Sequence, residues 1–149
     1  MPSTGRRILA DVNLWLATLV EQHPHHAVAV DWWRSTVLPS HGTVYFCRVT
    51  QLGLLRLLTN EIVMGRSRRS PEQAWRDHDQ LLEQGAVDYL DEPAELSKHL
   101  RRYASGQVPS ASLWTDAYLA AFARAEHIDL ATFDRGFKRF PELPLRLLG

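Results

Sequence analysis

The chain has 149 residues, and its 17 Lys and Arg balance 17 Asp and Glu, so the formal net charge is zero with the seven His neutral. That balance, without any run of like charges, excludes a basic nucleic-acid coat and an acidic polyelectrolyte tail. With 45% hydrophobic and 23% charged residues, the composition is that of one soluble globular domain, which at this size buries roughly 68–70% of its unfolded surface.

In chain order, residues 8–10 (Ile-Leu-Ala) read as a short buried strand ending at Asp11. Leu14, Trp15, Ala17, Leu19 and Val20 then predict a helix to about Glu21, and Pro24 marks the connection. A second helix is expected over 25–36, burying Val28, Trp32 and Trp33, followed by a loop at 38–42. Residues 43–47 are apolar and β-rich, a second strand, and the leucines at 52, 54, 55, 57 and 58 predict a buried helix over 49–58. Residues 61–70 read as loop, with Gly65 and the cluster Arg66, Arg68 and Arg69.

Ser70-Pro71-Glu72 is a helix start: Ser caps, Pro fits the first turn and Glu favours the positive end of the dipole. That helix should run to Gln84 and stop at Gly85. A third strand is expected at 86–90, a helix at 93–104 and a loop at 106–110. Ser110 or Ser112 can cap an Ala-rich helix over 113–126, which precedes a fourth strand at 128–132 and a fifth at 145–148. Short strands alternating with helices imply an α/β domain whose parallel sheet is covered on both faces. No internal repeat or low-complexity segment interrupts the pattern.

Cys47 is the single cysteine, which excludes an intrachain disulfide and a Cys-based zinc cluster; within Val44-Tyr45-Phe46-Cys47 it reads as a small buried hydrophobe. The N-terminal segment 1–10 imitates the charged and apolar parts of a secretory signal, but Asp11 and Asn13 break it, and no run reaches the ~18 apolar residues of a membrane span. A cytoplasmic protein is expected. His23, His25 and His26 beside Pro24 lack a spaced partner and read as loop residues rather than as a transition-metal site.

In open parallel sheets, sites collect at the C-terminal ends of the strands. Asp11 closes the first strand, Gln51 lies in the first turn of the helix after the second, Asp116 lies in the first turn of the Ala-rich helix, and Asp134 follows the fourth strand. Singly, each aspartate has a structural reading as a helix cap, a turn former or a first-turn acid. Together, three carboxylates on one sheet edge repel unless a hard cation sits between them, and oxygen ligands suit Mg²⁺ or Mn²⁺.

Four segments carry a resemblance to a known family: 9–17 (Leu-Ala-Asp-Val-Asn-Leu-Trp-Leu-Ala), 49–60 around Gln51, 114–123 around Asp116, and 130–137 around Asp134. In this order they resemble the motifs of the PIN-domain ribonucleases, and more narrowly the VapC-type toxins of bacterial toxin–antitoxin systems. The resemblance spans nearly the whole chain. It implies a three-layer α/β/α PIN-like domain with a central parallel sheet of four or five strands. It also implies a Mg²⁺- or Mn²⁺-dependent endoribonuclease with Asp11, Asp116 and Asp134 as catalytic and metal-ligating residues. Asn13 and Thr132 match polar neighbours that orient them.

Gln51 stands where many members have Glu; its amide oxygen can accept from a metal-bound water but brings no charge. Glu61 lies ten residues further on, about 15 Å along a helix, and does not replace it. The chemistry implied is in-line attack of an activated water on an RNA phosphodiester, leaving a 5′-phosphate and a 3′-hydroxyl. Arg56, Arg135 and Lys138 are candidate substrate contacts, with ion pairing as their structural alternative. The arginines at 66, 68 and 69 could bind phosphates or an acidic partner. Trp32, Trp33 and Trp75 read as core or interface residues ahead of base stacking. The resemblance further implies a homodimer and a cognate VapB-type antitoxin, with tRNA or ribosomal RNA as substrate.

Three other α/β families fail on their motifs. A receiver needs an acidic pair beside the first strand, a haloacid-dehalogenase-type phosphatase needs Asp-x-Asp where this chain has Asp11-Val12-Asn13, and a dinucleotide-binding unit needs a Gly-rich turn. The remaining alternative is a PIN-like binding module that has lost catalysis, with Gln51 as its mark.

Overall fold

The computed structural model describes residues 5–149, so positions 1–4 of the N-terminal segment weighed above as a leader lie outside it. The elements are β1 (Arg7–Ala10), α1 (Val12–Leu19), α2 (His26–Trp32) running into a π-helical turn (Trp33–Val37), β2 (Thr43–Phe46), and α3 (Arg48–Leu58). They continue with α4 (Glu61–Met64) and a 3-10 turn (Gly65–Ser67), α5 (Pro71–Leu82), β3 (Val87–Tyr89), α6 (Leu96–Ala104), α7 (Leu113–Glu126), β4 (Asp129–Thr132), a 3-10 turn (Arg135–Arg139) and β5 (Leu145–Leu147). The five strands form one parallel sheet in the order β3-β2-β1-β4-β5.

Strand periodicity divides the core into two layers. From β1, Ile8 and Ala10 join Val44 and Phe46 of β2 under α1, α2, α3 and α5, while Leu9 joins Leu130 of β4 under α6 and α7. This is the three-layer α/β/α arrangement of the sequence expectation. Trp15 anchors the first layer by stacking on Phe46 at 3.9 Å between centroids. Cys47 is fully buried in the second.

Several local expectations change. The segment 61–70 is not all loop: the Asn60 side chain accepts from the amides of Ile62 and Val63 and starts α4. The helix expected over 25–36 changes pitch at Trp33, where Leu38 N donates to the Trp33 carbonyl, five residues back. Val28 and Leu52, expected inside, are exposed, because each falls off the apolar stripe of its helix. Trp32 is buried, Trp33 is half-buried with Nε1 donating to Thr18 Oγ1, and Trp75 is exposed.

Other boundaries hold their chemistry. Ser70 and Gln73 form a reciprocal capping box at the start of α5. The helix expected from Pro93 begins at Leu96. Ser112 is the N-cap residue of α7 without a side-chain cap, and its carbonyl accepts from Asp116 N. The histidines at 23, 25 and 26 are used locally: His23 Nδ1 accepts from His25 N, His25 stacks on Phe133, and His26 Nδ1 meets the Ala17 carbonyl. Among the described residues no helix is long and apolar enough to cross a membrane.

Candidate active site

The C-terminal ends of β1 and β4 are neighbours in the sheet, with Ala10 opposite Ala131. The ladder continues one residue further, since Asp11 N donates to the Ala131 carbonyl at 3.0 Å. Asp11 then caps α1, its Oδ1 accepting from Val12 N at 2.7 Å. Its other oxygen accepts from Thr132 Oγ1, also at 2.7 Å. The same Thr132 hydroxyl accepts from Asp134 N at 3.0 Å. A fully buried hydroxyl therefore joins one aspartate's side chain to the next one's main chain.

Asp134 is exposed, and its Oδ1 accepts from Gly136 N at 2.8 Å, capping the 3-10 turn. Asp116 sits in the first turn of α7, 9% exposed, and its Oδ2 accepts from Arg139 Nη2 at 3.0 Å. Burial raises the proton affinity of Asp11 above the ordinary carboxylate range; the Thr132 and Val12 hydrogen bonds oppose this, and the charges of Asp116 and Asp134 add to it. Burial likewise raises Asp116, with Arg139 opposing and Asp134 adding. Asp11 thus senses both other acids, and Asp116 senses Asp134, across the edge of the sheet. As their side chains stand, no group of three or more His, Cys, Asp or Glu among the described residues is arranged to hold a metal ion. Each aspartate is engaged by protein donors instead.

The other sequence candidates divide by position. Asn13 is exposed and, with His23, Pro24, His25, Phe133 and Asp134, lines an open depression of about 340 Å³. Arg135 and Lys138 are exposed on the 3-10 turn after Asp134. Arg56 is exposed in the last turn of α3, about 12 Å along the axis from the helix start. Gln51 is buried in α3, with Oε1 accepting from Arg48 Nη1 and Nε2 3.3 Å from His78 Nε2. His78 Nδ1 in turn stands 3.0 Å from Asp79 Oδ1. Both ends of the Gln51 amide are occupied by this chain, and none of the three aspartates is among its hydrogen-bond partners.

Arg139 is the residue that sequence reasoning missed. The available signal was a basic pair between aromatics, Phe137-Lys138-Arg139-Phe140. Which of the two basic side chains turns inward depends on the 3-10 turn, which buries Phe137 and Phe140 and directs Arg139 toward α7.

The PIN domain family model matches residues 8–143. Ribonuclease VapC41 of Mycobacterium tuberculosis is 38% identical over 151 residues, covering 95% of this chain and 99% of the relative. Ribonuclease VapC29 of the same organism is 28% identical, covering 87% and 86%. Among solved structures, VapBC2 from Rickettsia felis bound to a promoter DNA fragment superposes with a TM-score of 0.71 at 16% identity, covering 96% of this chain and 99% of that one. Mycobacterium tuberculosis VapC20, described as a sarcin–ricin loop cleaving toxin, superposes with a TM-score of 0.63 at 18% identity, covering 88% and 92%. With its sheet order and this near-complete coverage, the chain belongs to the PIN-domain family, as a relative of the VapC ribonucleases.

Proposed function

We propose that the chain is a VapC-type endoribonuclease toxin that hydrolyses RNA phosphodiester bonds with Mg²⁺ or Mn²⁺ held by Asp11, Asp116 and Asp134. The carrying observation is the Thr132 hydroxyl, which ties Asp11 and the Asp134 main chain together at the ends of adjacent strands, with Asp116 close enough to raise the proton affinity of Asp11. The donor set suits a hard cation, being made of carboxylate oxygens, and positive charge there would reverse the cost of ionising two buried acids. A bound divalent cation supplies an activated water and offsets charge on the phosphoryl oxygens.

The remaining work falls to side chains. Thr132 and the Val12 amide hold Asp11 in one orientation. The depression lined by Asn13 and Asp134 offers the RNA backbone an approach at Asp134. Arg135 and Lys138 flank Asp134 on the solvent side and are the candidate phosphate contacts, with Arg56 further away on α3. Gln51, the ground for reading the chain as a non-catalytic module, hydrogen-bonds Arg48 and His78 and none of the three aspartates.

A VapB-type antitoxin as partner is supported by the similarity to VapBC complexes. Exposed Leu52, Ile62, Val63 and Trp75 on α3, α4 and α5 offer apolar surface for such a partner or for a homodimer in the cytoplasm. A tRNA or ribosomal RNA loop is the proposed substrate, in keeping with the loop-cleaving VapC20. Incubating the purified chain with structured RNA should give Mg²⁺- or Mn²⁺-dependent cleavage. That cleavage should fall about a hundredfold or more in Asp11→Ala and Asp116→Ala. Undiminished cleavage in both variants would overturn the assignment.

A further inference from the structure

Arg139 is fixed on three sides. Its Nη1 donates to the Gly136 carbonyl at 2.8 Å, its guanidinium lies 4.6 Å from the Phe140 ring centroid, and its Nη2 donates to Asp116 Oδ2 at 3.0 Å. The first two contacts belong to its own turn, whereas the third reaches 23 positions back to α7. Gly136 is part of the arrangement, since a Cβ there would stand 2.9 Å from Arg139 Nη1 and 3.0 Å from Asp134 Oδ1. The pair is sheltered, with side chains 31% and 13% exposed, so solvent weakens it less than an open surface pair. Among the described residues, no other basic side chain lies within ion-pair distance of any of the three aspartates.

We propose that Arg139 is the resident counter-ion of the acidic site, and that a divalent cation binds there by displacing its guanidinium from Asp116. The inference rests on the reading of the aspartates as cation ligands. With the guanidinium on Asp116 Oδ2, a hard cation at the roughly 2.0–2.1 Å of Mg²⁺ coordination on either oxygen of that carboxylate stands close to a second positive charge. Exchange resolves the conflict. The anchors on the Gly136 carbonyl and the Phe140 ring do not involve Asp116, so the released guanidinium stays at the rim of the site. Arg139 is in this sense a positioning residue: it acts through Asp116 and sets the threshold at which the cation enters.

Calorimetric titration with Mn²⁺ at fixed ionic strength tests this on the wild-type chain, Arg139→Gln, Arg139→Lys and Arg34→Gln. Arg34 is exposed on the π-helical turn and controls for the loss of one positive charge. Arg139→Gln should bind Mn²⁺ about tenfold more tightly than wild type, or ~1.4 kcal/mol. Arg139→Lys should fall between the two, because a lysine keeps the charge but loses the planar fork. Equal Mn²⁺ affinity in Arg139→Gln and wild type, or a gain no larger than that of Arg34→Gln, overturns the exchange.

A second readout needs no variant at position 139. The Arg139 Nε–Hε NMR signal of the wild-type chain should shift as Mg²⁺ is added, and should not do so in Asp116→Asn. A signal that stays still while Mg²⁺ binds also overturns the exchange. Absence of Mn²⁺ binding in every protein, Arg139→Gln included, removes the cation reading itself and this inference with it.

Discussion

The hydroxyl of Thr132 donates to the Asp11 side chain in a buried bond and accepts from the Asp134 main chain in a part-buried one. Thr132→Val keeps the shape and removes both bonds, leaving a buried carboxylate oxygen and an amide short of a partner. The expected loss is about 1–3 kcal/mol in urea denaturation, with Thr132→Ser recovering most of it. A valine variant as stable as wild type would show that the hydroxyl does not hold the aspartates. The positions of the three acids were legible because each follows a strand or lies in the first turn of a helix, places that the hydrophobic pattern marks. The direction of the Gln51 amide was not. It depends on Arg48, three residues away, and on His78, 27 residues away, and no local pattern reports on the second.

At the scale of elements, α1 and α3 approach unusually closely where Gly53 faces Val12. A Cβ on Gly53 would stand 2.6 Å and 3.2 Å from the two methyls of Val12, whose branched side chain has little freedom to move aside. Gly53→Ala gains up to about 1 kcal/mol of helix propensity and meets an overpacking cost of about 1–3 kcal/mol. The net expectation is a lower melting temperature. RNA cleavage should weaken with it, because Val12 adjoins Asp11 and a pushed helix moves the cap. A raised melting temperature would mean that the two helices have slack. The βαβ alternation, the parallel sheet and the bounds of α7 follow from periodicity and apolar runs. The start of α4 escaped because it rests on a single Asn60 cap inside a stretch rich in Gly, Ser and Arg.

For the molecule as a whole, the acidic site is a cost to stability that depends on pH. Asp11 and Asp116 have raised proton affinity in the folded chain, so the fold binds more protons than the unfolded chain between the ordinary carboxylate pKa and the raised values. The cost is absent below that window, where both states are protonated, and fully present above it. Under the proposed function Mg²⁺ binds the ionised form, so its stabilising effect should grow as pH rises through the window and vanish toward acid. Thermal melts with and without Mg²⁺ across mildly acidic to neutral pH check this. A Mg²⁺ effect that is constant with pH would separate the cation from these carboxylates. The zero net charge also acquires a distribution: with three of the 17 acids and their counter-ion Arg139 at one edge, the other 16 Lys and Arg face 14 carboxylates. RNA binding through a few arginines should accordingly be weak and sensitive to salt.

The placement of β4 beside β1 has a consequence in time. Asp11 and Thr132 are hydrogen-bonded partners 121 positions apart, and their strands pair only once the β4 segment is available. A ribosome making this protein delivers Asp134 123 residues after Asp11. Because non-local strand pairing waits for the distant segment, the unfinished chain has its first aspartate but no site. Under the proposed activity, the polypeptide is harmless to the message and ribosome that produce it until the segment carrying Thr132 and Asp134 has emerged.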